Sequence, residues 1–143
     1  MSSNIKLLDY IYQNSEMGTD TISQLMEKNK DSDFHEHLQA QWQEYKSINE
    51  EARKILNENG VDEKGIGSFE KMRTYLMINM QTLTDNSVSH IAEMLILGSN
   101  MGVVDAIKKV NEYGEHADDN VVALMNRLKA FEENNVERLK KYL

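Results

Sequence analysis

The chain has no proline and no cysteine, and only seven of its 143 residues are glycine. Helix interiors exclude proline more strongly than any other setting, because the ring removes a hydrogen bond and clashes with the preceding turn. Its absence over this length predicts a chain that is mostly helix. Without cysteine there is no disulfide and no thiolate ligand, so a reducing, cytoplasmic setting is expected. No basic segment followed by an apolar one opens the sequence, and no signal peptide is expected. The longest strongly apolar run, Met94 to Leu97 with Ile91 and Ala92 beside it, is far shorter than the roughly 20 residues of a membrane span, so no membrane partner is expected. Basic clusters are missing too. The net charge is -8, whereas nucleic acid needs a basic footprint, which sets it aside as a partner.

What is present is helical periodicity. At this length the chain reads as a single domain, 1–143, able to bury a core without staples. A first helix is expected over about 4–28, capped by Ser2 or Ser3, with Leu8, Ile11, Tyr12, Ile22, Leu25 and Met26 on one stripe. A second, over about 33–59, carries the cleanest stripe, from Phe34 and Leu38 through Trp42, Tyr45 and Ile48 to Leu56, and stops at Asn59-Gly60. A third is expected over about 68–84, with Phe69, Met72, Leu76, Met80 and Leu83 facing inward. Thr84 to Ser87 are poor helix formers and predict a break. A fourth, over about 87–113, is apolar on nearly every side, and such a helix belongs inside a protein. It is expected to be the central post. The last helix spans about 118–142, lined by Val121, Leu124, Met125, Leu128 and Leu139. No segment alternates with period two, so no sheet is expected.

A short repeat suggests how these helices combine. Ser15-x-Met17-Gly18 recurs as Ser99-x-Met101-Gly102, in the first and fourth helices. Each copy is followed by another long helix, with a connection between the pairs that includes the 68–84 segment. Two helix hairpins joined by a long crossover form a ferritin-like bundle. The expected fold is therefore all-α, a ferritin-like four-helix bundle with an additional crossover helix. Gly18 and Gly102 are expected where the two repeated helices cross closely. The blander alternative is two small residues tolerated in a core. A third possibility, that they leave room for a ligand, ranks below both.

Metal ligands test that layout. Di-iron bundles place Glu on two helices and Glu-x-x-His on the other two. This chain has no Glu-x-x-His. Its nearest fragments are Glu44-x-x-Ser47 and Glu132-x-x-Asn135, with Glu16 and Asn100 at the other two positions. At about 100° per residue, Glu132 and Asn135 fall inside the last helix's stripe, whereas Glu44 and Glu16 lie at stripe edges. Inward polar groups must be satisfied, and Ser15, Thr19, Asn49, Gln41, Tyr12 and Tyr45 are the expected partners. A structural hydrogen-bond network outweighs a metal site built from Glu16, Glu44 and Glu132. His90 and Glu93, three residues apart, could supply two metal ligands or a proton-transfer pair, but a solvated or interface pair is the preferred reading. The nine methionines are dispersed and read as core filling rather than a copper site.

Over essentially its full length the chain resembles a family of small ferritin-like helical-bundle proteins from Gram-positive bacteria. Asn14-Ser15-Glu16-Met17-Gly18, Ser89-His90-Ile91-Ala92-Glu93-Met94 and Asn100-Met101-Gly102 carry the resemblance. It implies the ferritin-like fold and no particular activity, since none of these motifs is specific for one. The expected function is non-catalytic, through interaction or assembly, without a cofactor and with a homodimer favoured. The alternative is an iron- or manganese-binding carboxylate bundle with a redox or storage role.

Overall fold

The computed structural model describes residues 2–63 and 83–143. Four long helices make up nearly all of them: α1 (Ser3–Lys28), α2 (Ser32–Glu58), α3 (Val88–Tyr113) and α4 (Asp119–Leu139). Among the described residues there is no strand. The expected helix at 68–84 lies outside the described residues except for Leu83 and Thr84, which are not helical. The break expected at Thr84–Ser87 is present.

Local chemistry explains the ends. Ser2 caps α1 by accepting from the Ile5 amide, and Asp31 caps α2 by accepting from the Phe34 amide at 2.9 Å. Ser87 accepts from the His90 amide at 3.2 Å and starts α3. Asp118 precedes α4, yet its side chain caps nothing. It accepts instead from Asn4 Nδ2 at 3.0 Å, while its own amide donates to Asn4 Oδ1 at 2.7 Å. That two-way clamp fastens the start of α4 to the start of α1. Gly60, at φ 74°, supplies the left-handed residue that ends α2.

Contacts between helices give their directions. Asn49 of α2 bonds Ser15 of α1, and Tyr142 just after α4 bonds Asp33 of α2. Tyr10 of α1 reaches Gly102 of α3, while Asn29, at the far end of α1, bonds Asn86 just before α3. Asn4 and Asn14 of α1 meet Asp118 and Glu132 in the same order along α4. The helices therefore run up, down, down, up. The end of α2 and the start of α3 lie at opposite ends of the bundle, and residues 59–87 join them.

The most enclosed helix is α1, not α3. From Leu7 to Ser15 every α1 residue except Tyr12 is buried. On α3 only Ile91, Ala92, Ser99, Gly102 and Ala106 are buried, whereas Leu97 is 57% exposed and Val104 50% exposed. The central-post expectation is thus corrected. Apolar composition decided it, but α1 is enclosed despite its polar residues, because Tyr10, Asn14 and Ser15 find hydrogen-bond partners inside. Val88–His116 is also long and apolar enough to cross a membrane by length and composition. The expectation that no stretch qualifies does not hold for that helix taken whole.

The glycine crossing is corrected as well. Gly18 and Gly102 do not meet, because α1 and α3 run antiparallel and pair residue 10 with 102. Each glycine instead clears space for a side chain of the helix that follows it. A Cβ on Gly18 would lie 2.7 Å from the Tyr45 ring, and one on Gly102 would lie 2.5 Å from Glu132 Oε1. The two Ser-x-Met-Gly copies therefore do equivalent work in the two hairpins. Gly98 differs, since a Cβ there would meet nothing within 4 Å.

These contrasts set an expected pair of outcomes in urea unfolding. Gly18→Ala forces the Tyr45 ring to move and loses about 1–3 kcal/mol. Gly98→Ala gains about 0.5–1 kcal/mol by helix propensity alone. Equal effects at the two sites would contradict the packing described.

Candidate functional site

At the middle of the bundle a carboxylate on α4 is held by side chains of α1 and α2, which are themselves bonded to α3. Glu132 of α4 is 2% exposed. Its Oε1 accepts from Asn14 Nδ2 of α1 at 3.0 Å, and its Oε2 accepts from Tyr45 Oη of α2 at 3.1 Å. Asn14 Nδ2 also donates to Tyr10 Oη at 3.1 Å, and Tyr10 in turn donates to the Gly102 carbonyl of α3 at 2.8 Å. Ser99 of α3 is buried and hydrogen-bonds Tyr45. The helical period explains the set. Tyr10, Asn14 and Met17 share one face of α1, and Glu132 stands one turn from Leu128 and Asn135 on the buried face of α4.

The electrostatics are unusual in one respect. No lysine, arginine or histidine pairs with Glu132 among the described residues. The described groups that hydrogen-bond it, Asn14 and Tyr45, are neutral. Burial therefore pushes its carboxyl up from an ordinary 4.5 to about 8. The bonds from Asn14 and Tyr45 pull against that rise, and the negative charge of Asp105 adds to it. Tyr45 and Tyr10 are driven upward, first by burial and then by the field of Glu132, so both phenols stay protonated donors. The arrangement can keep a carboxyl group poised between its two protonation states near neutral pH.

A cavity of about 50 Å³ opens next to this carboxylate, between α1, α2 and α3. Asn14, Thr21, Gln41, Tyr45, Ser99 and Glu132 form its polar wall, and Met17, Ile22, Leu25, Met94 and Leu95 form its apolar wall. Gly18 and Gly98 border it from either side. The antiparallel pairing that separates Gly18 from Gly102 is what brings Gly18 and Gly98 together here.

The other carboxylates expected at a metal site are elsewhere. Glu44 stands on the outer side of α2, where it accepts from Arg127 Nε at 2.8 Å. Arg127 also donates to Ser47 Oγ at 3.0 Å. Glu16 is half-buried and accepts a hydrogen bond from Tyr12. Neither joins Glu132. Among the described residues no group of three His, Asp or Glu side chains could hold a metal ion. His90 is half-buried and Glu93 exposed, both on the side of α3 away from the core. Asn135 is 1% exposed, and its Nδ2 has no hydrogen-bond partner among the described residues. Gln41 turns to His37, at 2.8 Å between the two nitrogens. Burial and the positive charges of Arg138 and Lys141 lower the pKa of that imidazole.

Of the partners expected for Glu132, Tyr45 is in place. Asn14, Tyr10 and Ser99 were not anticipated. Their signal was the spacing Leu7, Tyr10, Asn14, Met17, a second inward stripe on α1 that reads as polar unless its acceptor is known. No family model, curated protein or solved structure matches the chain.

The raised carboxyl has a signed consequence for stability. In the unfolded chain Glu132 ionises near its ordinary 4.5, and in the folded protein near 8. Its contribution is complete below about pH 4.5 and is lost as the pH rises through about 8, a total on the order of several kcal/mol. Glu132→Gln keeps the shape and cannot ionise. Urea unfolding between pH 5 and 9 should show the wild type losing stability relative to this variant over that window. A constant difference would show that Glu132 titrates normally.

Proposed function

We propose that the protein is a cytoplasmic ferritin-like bundle that acts through assembly with a second copy of itself rather than through catalysis. The up-down-down-up order of the four helices supports the ferritin-like reading, because a long connection between two hairpins produces that order. The observation that carries assembly is the outer face of α3. Leu97, Met101, Val104 and Ile107 are 57%, 43%, 50% and 42% exposed. With Glu93, Asn100 and Lys108, also exposed, they recur every three or four residues along one side of the helix. Large apolar side chains gathered in this way mark an interaction surface.

The order of residues on this face favours a second copy. It is nearly symmetric about the bond between Asn100 and Met101. Glu93 mirrors Lys108 and Leu97 mirrors Val104, while Met101 falls opposite Asn100. Two α3 helices packed antiparallel about a twofold axis would match aliphatic against aliphatic. They would also bring each Glu93 to the partner's Lys108, twice over. A parallel pairing would set like charges together.

Light scattering coupled to gel filtration tests the reading. The wild type is expected at twice the chain mass. Glu93→Lys and Lys108→Glu should each weaken the dimer at least tenfold, about 1.4 kcal/mol, and the double variant should restore it. A monomer at every concentration would overturn the proposal. A protein that requires detergent would overturn it in favour of a bilayer. Dimers indifferent to both charges would place the contact elsewhere.

A further inference from the structure

The geometry points to a property independent of assembly: the cavity beside Glu132 is a binding site for the head group of a small aliphatic ammonium ion.

A buried ionised carboxylate is costly unless it is paired. Glu132 has two neutral donors, no counter-cation among the described residues, and a like charge, Asp105, nearby. Two species can neutralise it, a proton or a cation entering the cavity that it lines. Anions are excluded by the sign of the charge. Calcium takes six to eight oxygen ligands, and magnesium keeps near-octahedral coordination, whereas this wall offers one carboxylate. A primary ammonium group fits better. It has three donors and no acceptor, and the wall presents the Glu132 carboxylate beside the hydroxyl of Ser99 and the amide of Asn14. Beyond that polar patch Met17, Leu25, Met94 and Leu95 form a surface for a short alkyl chain. The cavity of about 50 Å³ takes the head group, and the alkyl chain runs out along the apolar wall.

Such a site is coupled to protons. The ammonium ion needs the ionised carboxylate, so binding displaces the proton that the empty site holds. The titratable groups facing Glu132 are Tyr10 on α1, Tyr45 on α2 and Asp105 on α3. Both phenols remain protonated throughout. The carboxyl of Glu132 therefore governs the pH dependence. With its midpoint near 8, the ionised fraction rises about tenfold from pH 7 to pH 9, while an alkylammonium stays charged as a lysine does.

The test is calorimetric titration of the full chain with n-butylammonium chloride, with n-butanol as the uncharged control. The wild type should bind the ammonium and not the alcohol, about tenfold more tightly at pH 9 than at pH 7. Glu132→Gln should lose at least tenfold in affinity. Gly98→Leu enters space where a Cβ meets nothing within 4 Å, so it should block the ligand while leaving the fold and the pH-dependent stability intact. No saturable binding at pH 9, equal binding of butanol, or affinity unchanged in Gly98→Leu would each overturn the site. Should Glu132→Gln fail to fold, Gly98→Leu alone decides. The Glu93 and Lys108 variants leave this cavity untouched, so failure of the dimer and failure of the site are separable.

Discussion

One buried carboxylate, with no counter-cation among the described residues, constrains the rest of the bundle. Glu132 lies on the inward stripe of α4, where an aliphatic side chain would cost nothing in solvation. Its presence demands donors, and two neighbouring helices supply them, Asn14 from α1 and Tyr45 from α2, while Tyr10 accepts from Asn14 and donates onward to the Gly102 carbonyl of α3. Hydrophobic burial is tolerant of small shifts between helices, whereas hydrogen bonds of about 3 Å are not. The network therefore sets the relative height of the four helices more sharply than their aliphatic contacts do. Gly102 belongs to it by omission, since any side chain there would occupy the place of the carboxylate.

The same network accounts for which helix is inside. A helix rich in Tyr, Asn and Ser can be enclosed if its polar groups meet partners, and α1 does this along most of its first half. A helix rich in Leu, Ile, Val and Met can still present half its circumference outward, and α3 does. Burial follows from where partners stand, and hydropathy records only the average cost of standing there. The exposed apolar side chains of α3 are the ones on which the proposed assembly rests.

Several features of the chain were legible without coordinates. The helix limits followed from caps and breakers, because Ser2, Asp31, Ser87 and Gly60 act through bonds or backbone angles local to the turn. That Glu132 and Asn135 face inward followed from the period of α4 alone. The partners of Glu132 were legible only in part. Tyr45 lies on an obvious apolar stripe, but Asn14 looks like a solvated residue until Glu132 is seen 118 residues away. The proposed meeting of Gly18 with Gly102 failed for a similar reason. A repeat gives equivalent positions in two helices and carries no information on their relative direction, and the antiparallel arrangement moves Gly18 next to Gly98 instead.

The sequence by itself determined the helical character of the chain, the ends of its helices and the inward faces of α2 and α4. These depend on interactions within a turn or two, which composition and period report directly. Only the tertiary structure decided which helix is enclosed, which side chains surround Glu132, that Glu44 leaves the core for Arg127, and where a cavity remains. Those outcomes depend on the direction and offset of helices far apart in the chain. A shift of one residue turns a side chain by about 100°, enough to exchange core for solvent.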